Sequence, residues 1–383
     1  MGNNSGTRFV AEKGNASEFY WTCRGGDTER VEEMLKGMTR EEISKVEQNG
    51  STALHVACYY GHTKIIKMLL ERGCDRSVIN TYSQTAFSES SCEEVRELFE
   101  RSDSDKRRFM DPDVRDSFSI VHTNKTLEKS DMPYNYVNRH KNVKVAKDAQ
   151  LMTGISKSIF KKFVQARVEL PLVDQLEEIV NKSVFCDDSV STIELIKTRE
   201  LLNKFKAKGK KSVCVNALLT LYTLETKFYE VLRHNAIAFT SIIYMHLSEL
   251  EDRAYKGYSY RGVAISSEDL KAYNWVHSDK KDILETCTVQ STSKNIARAE
   301  SFAEKAMCSD KHKTIFQFNF PEKCATAIEL RELSNYPVEE EVLVLPFTLF
   351  EVDAVKITDE RHIVYLTNVP VPDKSAFANW IKL

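Results

Sequence analysis

With 383 residues the chain exceeds what one hydrophobic core usually holds, so two or more folding units are expected. Its hydrophobic share of 42% excludes a disordered chain, and a formal net charge of -2 supplies no overall pull toward nucleic acid or acidic membranes. No apolar window approaches membrane-spanning length, so neither nucleic acid nor a membrane is expected as a partner. Nine scattered cysteines form no C-x-x-C pair and no tight Cys/His spacing, which points to thiols in a reducing compartment and to no bound metal. No basic start is followed by an apolar run, so no signal peptide is expected. Met1-Gly2-Asn3-Asn4-Ser5-Gly6 falls short of a myristoylation signal because Gly6 stands where Ser or Thr is wanted. A cytoplasmic chain is the expectation.

A repeat appears first. Asn49-Gly50-Ser51-Thr52-Ala53-Leu54-His55-Val56-Ala57 is followed by Tyr60-Gly61-His62, then Ile65-Ile66-Lys67-Met68-Leu69-Leu70 and Gly73-Cys74-Asp75. Thr52 can cap a first helix, Ala57 lets two helices approach, and Gly61 permits the turn between them. This stretch resembles an ankyrin repeat, with Ala53 in place of the usual proline. Cys23, Gly26-Asp27, Val31 and Met34-Leu35 echo its second half on one side. Thr85-Ala86-Phe87, Val95 and Leu98-Phe99 make a shortened copy on the other. One repeat cannot bury its own apolar face, so about three are expected. Residues 1–105 are accordingly assigned to an all-α ankyrin region, clearest over 49–80, that binds a protein partner.

The next stretch, 106–150, is rich in Asp, Arg, Lys and Ser and reads as a linker or boundary. From Ile155 the period turns helical, with Ile155, Ile159, Phe160, Phe163 and Val164 on one face. Pro171 can open a helix carrying Val173, Leu176, Ile179 and Val180. The lysines from Lys204 to Lys211 read as a solvated loop, and Val213 to Leu250 as a helical region broken near Asn235. Residues 151–253 thus form a helical part. The texture changes over 254–383. Ile315–Phe320 alternates with the period of a strand, and Val342–Leu345, Phe350–Val352 and Ile363–Leu366 are β-rich as well. Helices followed by strands favour a segregated α+β architecture.

Three signals fall in this β-rich part. They are Tyr260-Arg261-Gly262-Val263, then Gln290-Ser291-Thr292-Ser293 with Ala299-Glu300-Ser301-Phe302, and last Tyr336-Pro337-Val338-Glu339-Glu340-Glu341-Val342-Leu343-Val344-Leu345-Pro346. Alone, each has an ordinary reading: a strand-edge arginine, a helix-capping serine run, a solvated acidic loop. Together and in this order they resemble the arginine-serine-glutamate class of mono-ADP-ribosyltransferases. Leu219-Thr220-Leu221-Tyr222-Thr223 with Phe228-Tyr229 and Leu232 resembles the helix before that family's sheet core, and Ser334-Asn335-Tyr336-Pro337 the turn leading into its glutamates. The likeness runs from about Ser212 onward. Gln290 and Phe347 depart from the common pattern, without touching the charged trio.

The resemblance implies a multidomain chain in which ankyrin repeats precede an α+β ADP-ribosyltransferase fold. That fold would have a helical subdomain and a β-rich, two-sheet NAD-binding core. NAD would be consumed as a substrate, ADP-ribose passing to arginine side chains of target proteins. Cleavage of the nicotinamide-ribose bond passes through an oxocarbenium-like centre, which a carboxylate stabilises; Glu341 takes that role. Arg261 suits the pyrophosphate as a planar, permanent cation. Gly262 would let the nicotinamide amide approach the backbone, and by resemblance Ser291 orients Glu341 and the dinucleotide. Glu339 would bind the acceptor arginine and take its proton. On an extended backbone Glu339 and Glu341 point to the same side while Glu340 faces away. Tyr336 is a candidate for stacking on the target. The rival readings are an NAD glycohydrolase, with water as acceptor, and an inert transferase fold whose ankyrin region does the binding.

Overall fold

The computed structural model describes residues 16–90, 92–100, 117–121, 172–188, 190–207, 211–224, 226–278, 283–305, 311–346, 348–358 and 360–369. Grouped by contact, the chain forms two units. The first comprises Met1–Arg101, Ser191–Lys197 and Arg331–Val338, and the second Ser102–Val190, Thr198–Leu330 and Glu339–Leu383. The expected boundaries at 105, 150 and 253 follow the chain, whereas contact assigns two short later segments to the N-terminal unit.

The first unit is built from short helices: α1 (Glu18–Gly25), α2 (Thr28–Leu35), α3 (Arg40–Ile43), α4 (Ala53–Tyr60), α5 (Thr63–Glu71), α6 (Ala86–Glu89) and α7 (Glu93–Glu97). Their buried faces make one core from Cys23, Val31, Leu35, Ala57, Ile65, Ile66, Leu69, Val95 and Phe99, among others. Thr52 is the N-cap of α4, and Gly61 ends it at φ 73, the left-handed turn a side chain disfavours. His55 completes the start of α4. Its Nδ1 accepts the Thr52 backbone N–H at 3.2 Å, which leaves the proton on Nε2 to donate to the Gln84 carbonyl at 3.2 Å.

Burial pushes the His55 imidazole down to about 4, against 6.5 in an exposed histidine. As pH falls, the unfolded chain takes up this proton first. The stabilisation from a neutral His55 is therefore present above 6.5 and lost as pH falls toward 4. Between pH 7 and pH 5 the repeats should lose about 2 kcal/mol. Hydrogen exchange of the α4 amides, corrected for intrinsic rate, should show that loss, and His55→Gln should remove its pH dependence.

The second unit begins with β1 (Phe118–Val121), which pairs antiparallel with β3 (Ile283–Thr286). Part of the expected linker 106–150 is thus a strand. Phe118 anchors it, 3% exposed among Tyr273, Phe316 and Phe318, because an aromatic in a polar stretch gains most by joining a neighbouring core. The predicted helix at Ile155–Val164 lies outside the described residues. Helix α8 (Leu172–Val180) buries Leu176, Ile179 and Val180 as its period predicts, but Val173, counted with them in the sequence, is exposed. It is followed by α9 (Thr192–Lys206), α10 (Lys211–Thr223), α11 (Phe228–His234) and α12 (Ile237–Met245). The predicted break at Asn235 is the C-cap of α11, and a second break separates α10 from α11.

The remaining elements are β2 (Ala254–Ser266), α13 (Ser267–Ser278), β3, β4 (Gln290–Ser293), α14 (Ile296–Lys305), β5 (Lys311–Glu329), β6 (Glu341–Val344), β7 (Leu349–Ile357) and β8 (His362–Asn368). The strands run β1-β3-β7-β8-β5-β2-β4-β6, and β5 also pairs with β6. The expected two sheets are therefore hydrogen-bonded into one network. The cause is strand length: β5 spans 19 residues, and its two ends serve different partners. Thr314–Asn319 run beside β8, whereas Ala327–Glu329 run beside β6. β2, β4, β6 and β5 close a ring, which buries β4 and β6 along their whole length.

Candidate active site

The three motifs land on neighbouring strands. Arg261 is on β2, Ser291 on β4 and Glu341 opens β6, and β4 lies between the other two. Ser291 stands opposite Leu343 in the β4–β6 ladder. Glu341, two residues before Leu343, shares a face with it and so reaches diagonally to the serine. The Ser291 hydroxyl donates to Glu341 Oε1 at 2.6 Å. From the other side, Arg261 Nη1 donates to the Ser291 carbonyl at 3.1 Å. Glu341 is 1% exposed, Ser291 2% and Arg261 6%, so the trio is one buried, connected group.

Each residue of the Ser-Thr-Ser run has its own task. Ser291 bonds the glutamate; Thr292 donates to the Val342 carbonyl at 2.8 Å; Ser293 accepts the Asn295 backbone N–H at 3.0 Å and so shapes the turn into α14. Gln290, the departure noted in the sequence, is buried and donates to Thr288 Oγ1 at 2.6 Å. Beyond β6, the Tyr244 hydroxyl donates to the Pro346 carbonyl at 2.7 Å, and Leu345 N–H donates to the Thr326 carbonyl at 2.8 Å. These contacts hold the strand that carries Glu341 at its far end.

Glu339 and Glu341 do not lie on one extended stretch, contrary to the spacing argument. Glu339 ends a 3-10 turn (Pro337–Glu339), and Glu340 has φ 44, in the left-handed region. The Glu340 carbonyl accepts the Lys294 N–H at 3.1 Å, and that bond holds the turn. Glu340 is exposed as expected, but Glu339 is buried, 5% exposed. A turn, not strand alternation, sets the direction of its carboxylate.

Gly262 also differs from its expected use. A methyl at this position would overlap the Ala299 carbonyl and lie 2.8 Å from Ala303 N, both on α14. The space left by the missing side chain is filled by that helix, and the Gly262 backbone is paired with Ile315 in the β2–β5 ladder. Gly262→Ala should therefore force α14 off the sheet, with a destabilisation of about 3 kcal/mol. A thermal melt lowered by several degrees would register it; an unchanged melt would show that the helix yields freely.

Tyr336 belongs to the first unit. Its ring is 3% exposed, with the Arg76 guanidinium carbon 5.2 Å from its centroid, and Arg76 Nη1 donates to the Asn335 carbonyl at 2.9 Å. The structure thus places Tyr336 under an internal cation. Sequence reasoning missed Tyr222 as a site residue. Its hydroxyl lies 2.8 Å from Ser291 Oγ, across a separation of 69 residues that no spacing rule connects.

Among the described residues no group of three or more His, Cys, Asp or Glu is placed to hold a metal, no cysteine is in a disulfide, and no helix is long and apolar enough to cross a membrane.

A family model described as ankyrin repeats, in three copies, matches residues 12–106. NAD-capped RNA hydrolase NUDT12 of Homo sapiens is 36% identical over 70 residues, 18% of this chain and 15% of its own length. Photoreceptor ankyrin repeat protein of Mus musculus is 39% identical over 56 residues, 14% of each chain. The chain therefore spans only a small part of these relatives. Among solved structures, ADP-ribosyltransferase HopU1 of Pseudomonas syringae pv. Tomato DC3000 superposes with a TM-score of 0.33 at 14% identity, covering 56% of this chain and 97% of its own. Exoenzyme S from Pseudomonas aeruginosa, bound to Carba-NAD and in complex with human 14-3-3 protein beta, gives 0.34 at 16%, covering 56% and 98%. ADP-ribosyltransferase Vis in complex with agmatine gives 0.28 at 18%, covering 54% and 89%. Residues 12–106 match ankyrin repeats, and a mixed helix-and-sheet region follows them.

Proposed function

We propose that this chain is a mono-ADP-ribosyltransferase that moves ADP-ribose from NAD to arginine side chains of target proteins. The observation that carries the reading is the buried hydrogen-bonded group of Arg261, Ser291 and Glu341, drawn from three adjacent strands. A carboxylate held this firmly in a buried site stabilises positive charge with little reorganisation, which is what loss of nicotinamide from a ribose requires. Glu341 would face the ribose carbon from which nicotinamide departs with its bonding electrons. Ser291 holds that carboxylate in place. Arg261, a permanent planar cation on the neighbouring strand, would take the phosphates of NAD.

Glu339 would hold the acceptor guanidinium and remove a proton as its nitrogen bonds to the ribose carbon. The acceptor assignment rests on this residue, because the ring of Tyr336 is already covered by Arg76. The ankyrin repeats would bring in the target protein, which raises its local concentration at the catalytic unit. Chromatographic detection of released nicotinamide tests the reading. Release accelerated by agmatine supports transfer to arginine. Release indifferent to agmatine makes water the acceptor and the chain an NAD glycohydrolase. No release removes the reading and leaves the ankyrin repeats as the functional part.

A further inference from the structure

The hydrogen bond between Tyr222 and Ser291 has a fixed direction. Ser291 owns one hydroxyl proton, and it goes to Glu341 Oε1 at 2.6 Å. Its oxygen then has only lone pairs to offer toward Tyr222, so the Tyr222 hydroxyl, 2.8 Å away, is the donor. The result is a one-way chain, Tyr222 to Ser291 to Glu341, running from helix α10 into strand β6.

Two further features give the chain its rigidity. Tyr222 is 4% exposed, and its ring lies 5.5 Å from that of Phe239, which in turn meets Phe228 edge-on at 5.9 Å. Phe228 and Phe239 are fully buried, so the phenol has no room to swing. At the other end, the Ser291 carbonyl accepts from Arg261 Nη1. Ser291 is therefore tied at its side chain to Tyr222 and Glu341 and at its backbone to Arg261.

Resting on the transferase reading above, we propose that Tyr222 is a positioning residue for NAD cleavage. Its hydroxyl fixes the rotamer of Ser291, and through Ser291 the carboxylate of Glu341. Without that donor the Ser291 hydroxyl still gives its proton to Glu341, but its oxygen is anchored from one side only. With the donor in place it has one well-satisfied orientation, and each bond in the chain polarises the next. Tyr222 touches neither the ribose nor the acceptor; it acts through the serine.

Tyr222→Phe keeps the ring and its packing and removes only the hydroxyl. Steady-state nicotinamide release should show kcat lowered about tenfold, the value of one such hydrogen bond, with KM for NAD and the melting temperature little changed. In a Ser291→Ala background the same substitution should have no further effect on kcat, because the relay is already cut. Full activity in Tyr222→Phe would overturn the proposal. So would a raised KM at constant kcat, which would make Tyr222 a direct substrate contact. An equal loss in the Ser291→Ala background would also overturn it, since the effect would not pass through the serine. A wild-type chain that releases no nicotinamide would instead overturn the proposed activity, and with it any part for Tyr222. An active chain indifferent to Tyr222→Phe overturns the relay alone.

Discussion

Glu341→Gln is expected to lower NAD cleavage and ADP-ribose transfer together, by roughly a thousandfold or more. The substitution is nearly isosteric. Ser291 can still donate to the side-chain oxygen that replaces Glu341 Oε1, and neither the β6 ladders with β4 and β5 nor the Thr292 bond to the Val342 carbonyl draws on that side chain. What disappears is the negative charge in a site where little water is present to replace it. Melting temperature and nicotinamide release, measured on one preparation, separate the two consequences: the melt should hold while release vanishes. Retained release would show that another group stabilises the ribose, and Glu341 would revert to a structural partner of Ser291.

Glu339→Gln is expected to divide the two reactions. Transfer to agmatine should fall by about a hundredfold or more, within the range that a positioned base contributes, while NAD hydrolysis stays within a few-fold of wild type. The reason is the position of Glu339, at the end of the 3-10 turn and separated from Glu341 by a left-handed Glu340. Glu341 is instead tied to Ser291, and Ser291 to Arg261, within the sheet. Parallel assays of labelled agmatine and of free ADP-ribose read the division. Normal arginine modification by Glu339→Gln would show that the roles assigned to the two carboxylates are wrong.

Much of the site was legible because its residues sit in short, chemically distinctive runs. The order Arg261, Ser291, Glu341 along the chain became the order β2, β4, β6 in the sheet. The alternation at Ile315–Phe320 and Ile363–Leu366 placed β5 and β8, where hydrophobic period decides the face. The ankyrin repeat was equally plain, since Thr52, His55 and Gly61 do local work in capping and turning.

What the sequence concealed is non-local or depends on backbone dihedrals. Tyr222 meets Ser291 through packing of a helix on a sheet, and nothing in either segment encodes the other. The left-handed Glu340 sits in a run of three glutamates that reads as plain spacing, and the turn overrides the alternation an extended strand would give. Gly262 sits beside Arg261, yet its small size is needed against Ala299 of α14. Phe118 makes a strand inside a polar stretch by packing on Phe316 and Phe318, which lie far along the chain and so left no local signal.

The central claim is tested most directly by incubating the protein with NAD labelled in its ADP-ribose part and with agmatine, beside the Glu341→Gln variant. The predicted result is label on the agmatine guanidinium with wild type, absent with the variant. Intact NAD after incubation with the wild-type chain and agmatine, or label that reaches agmatine equally with Glu341→Gln, would contradict it.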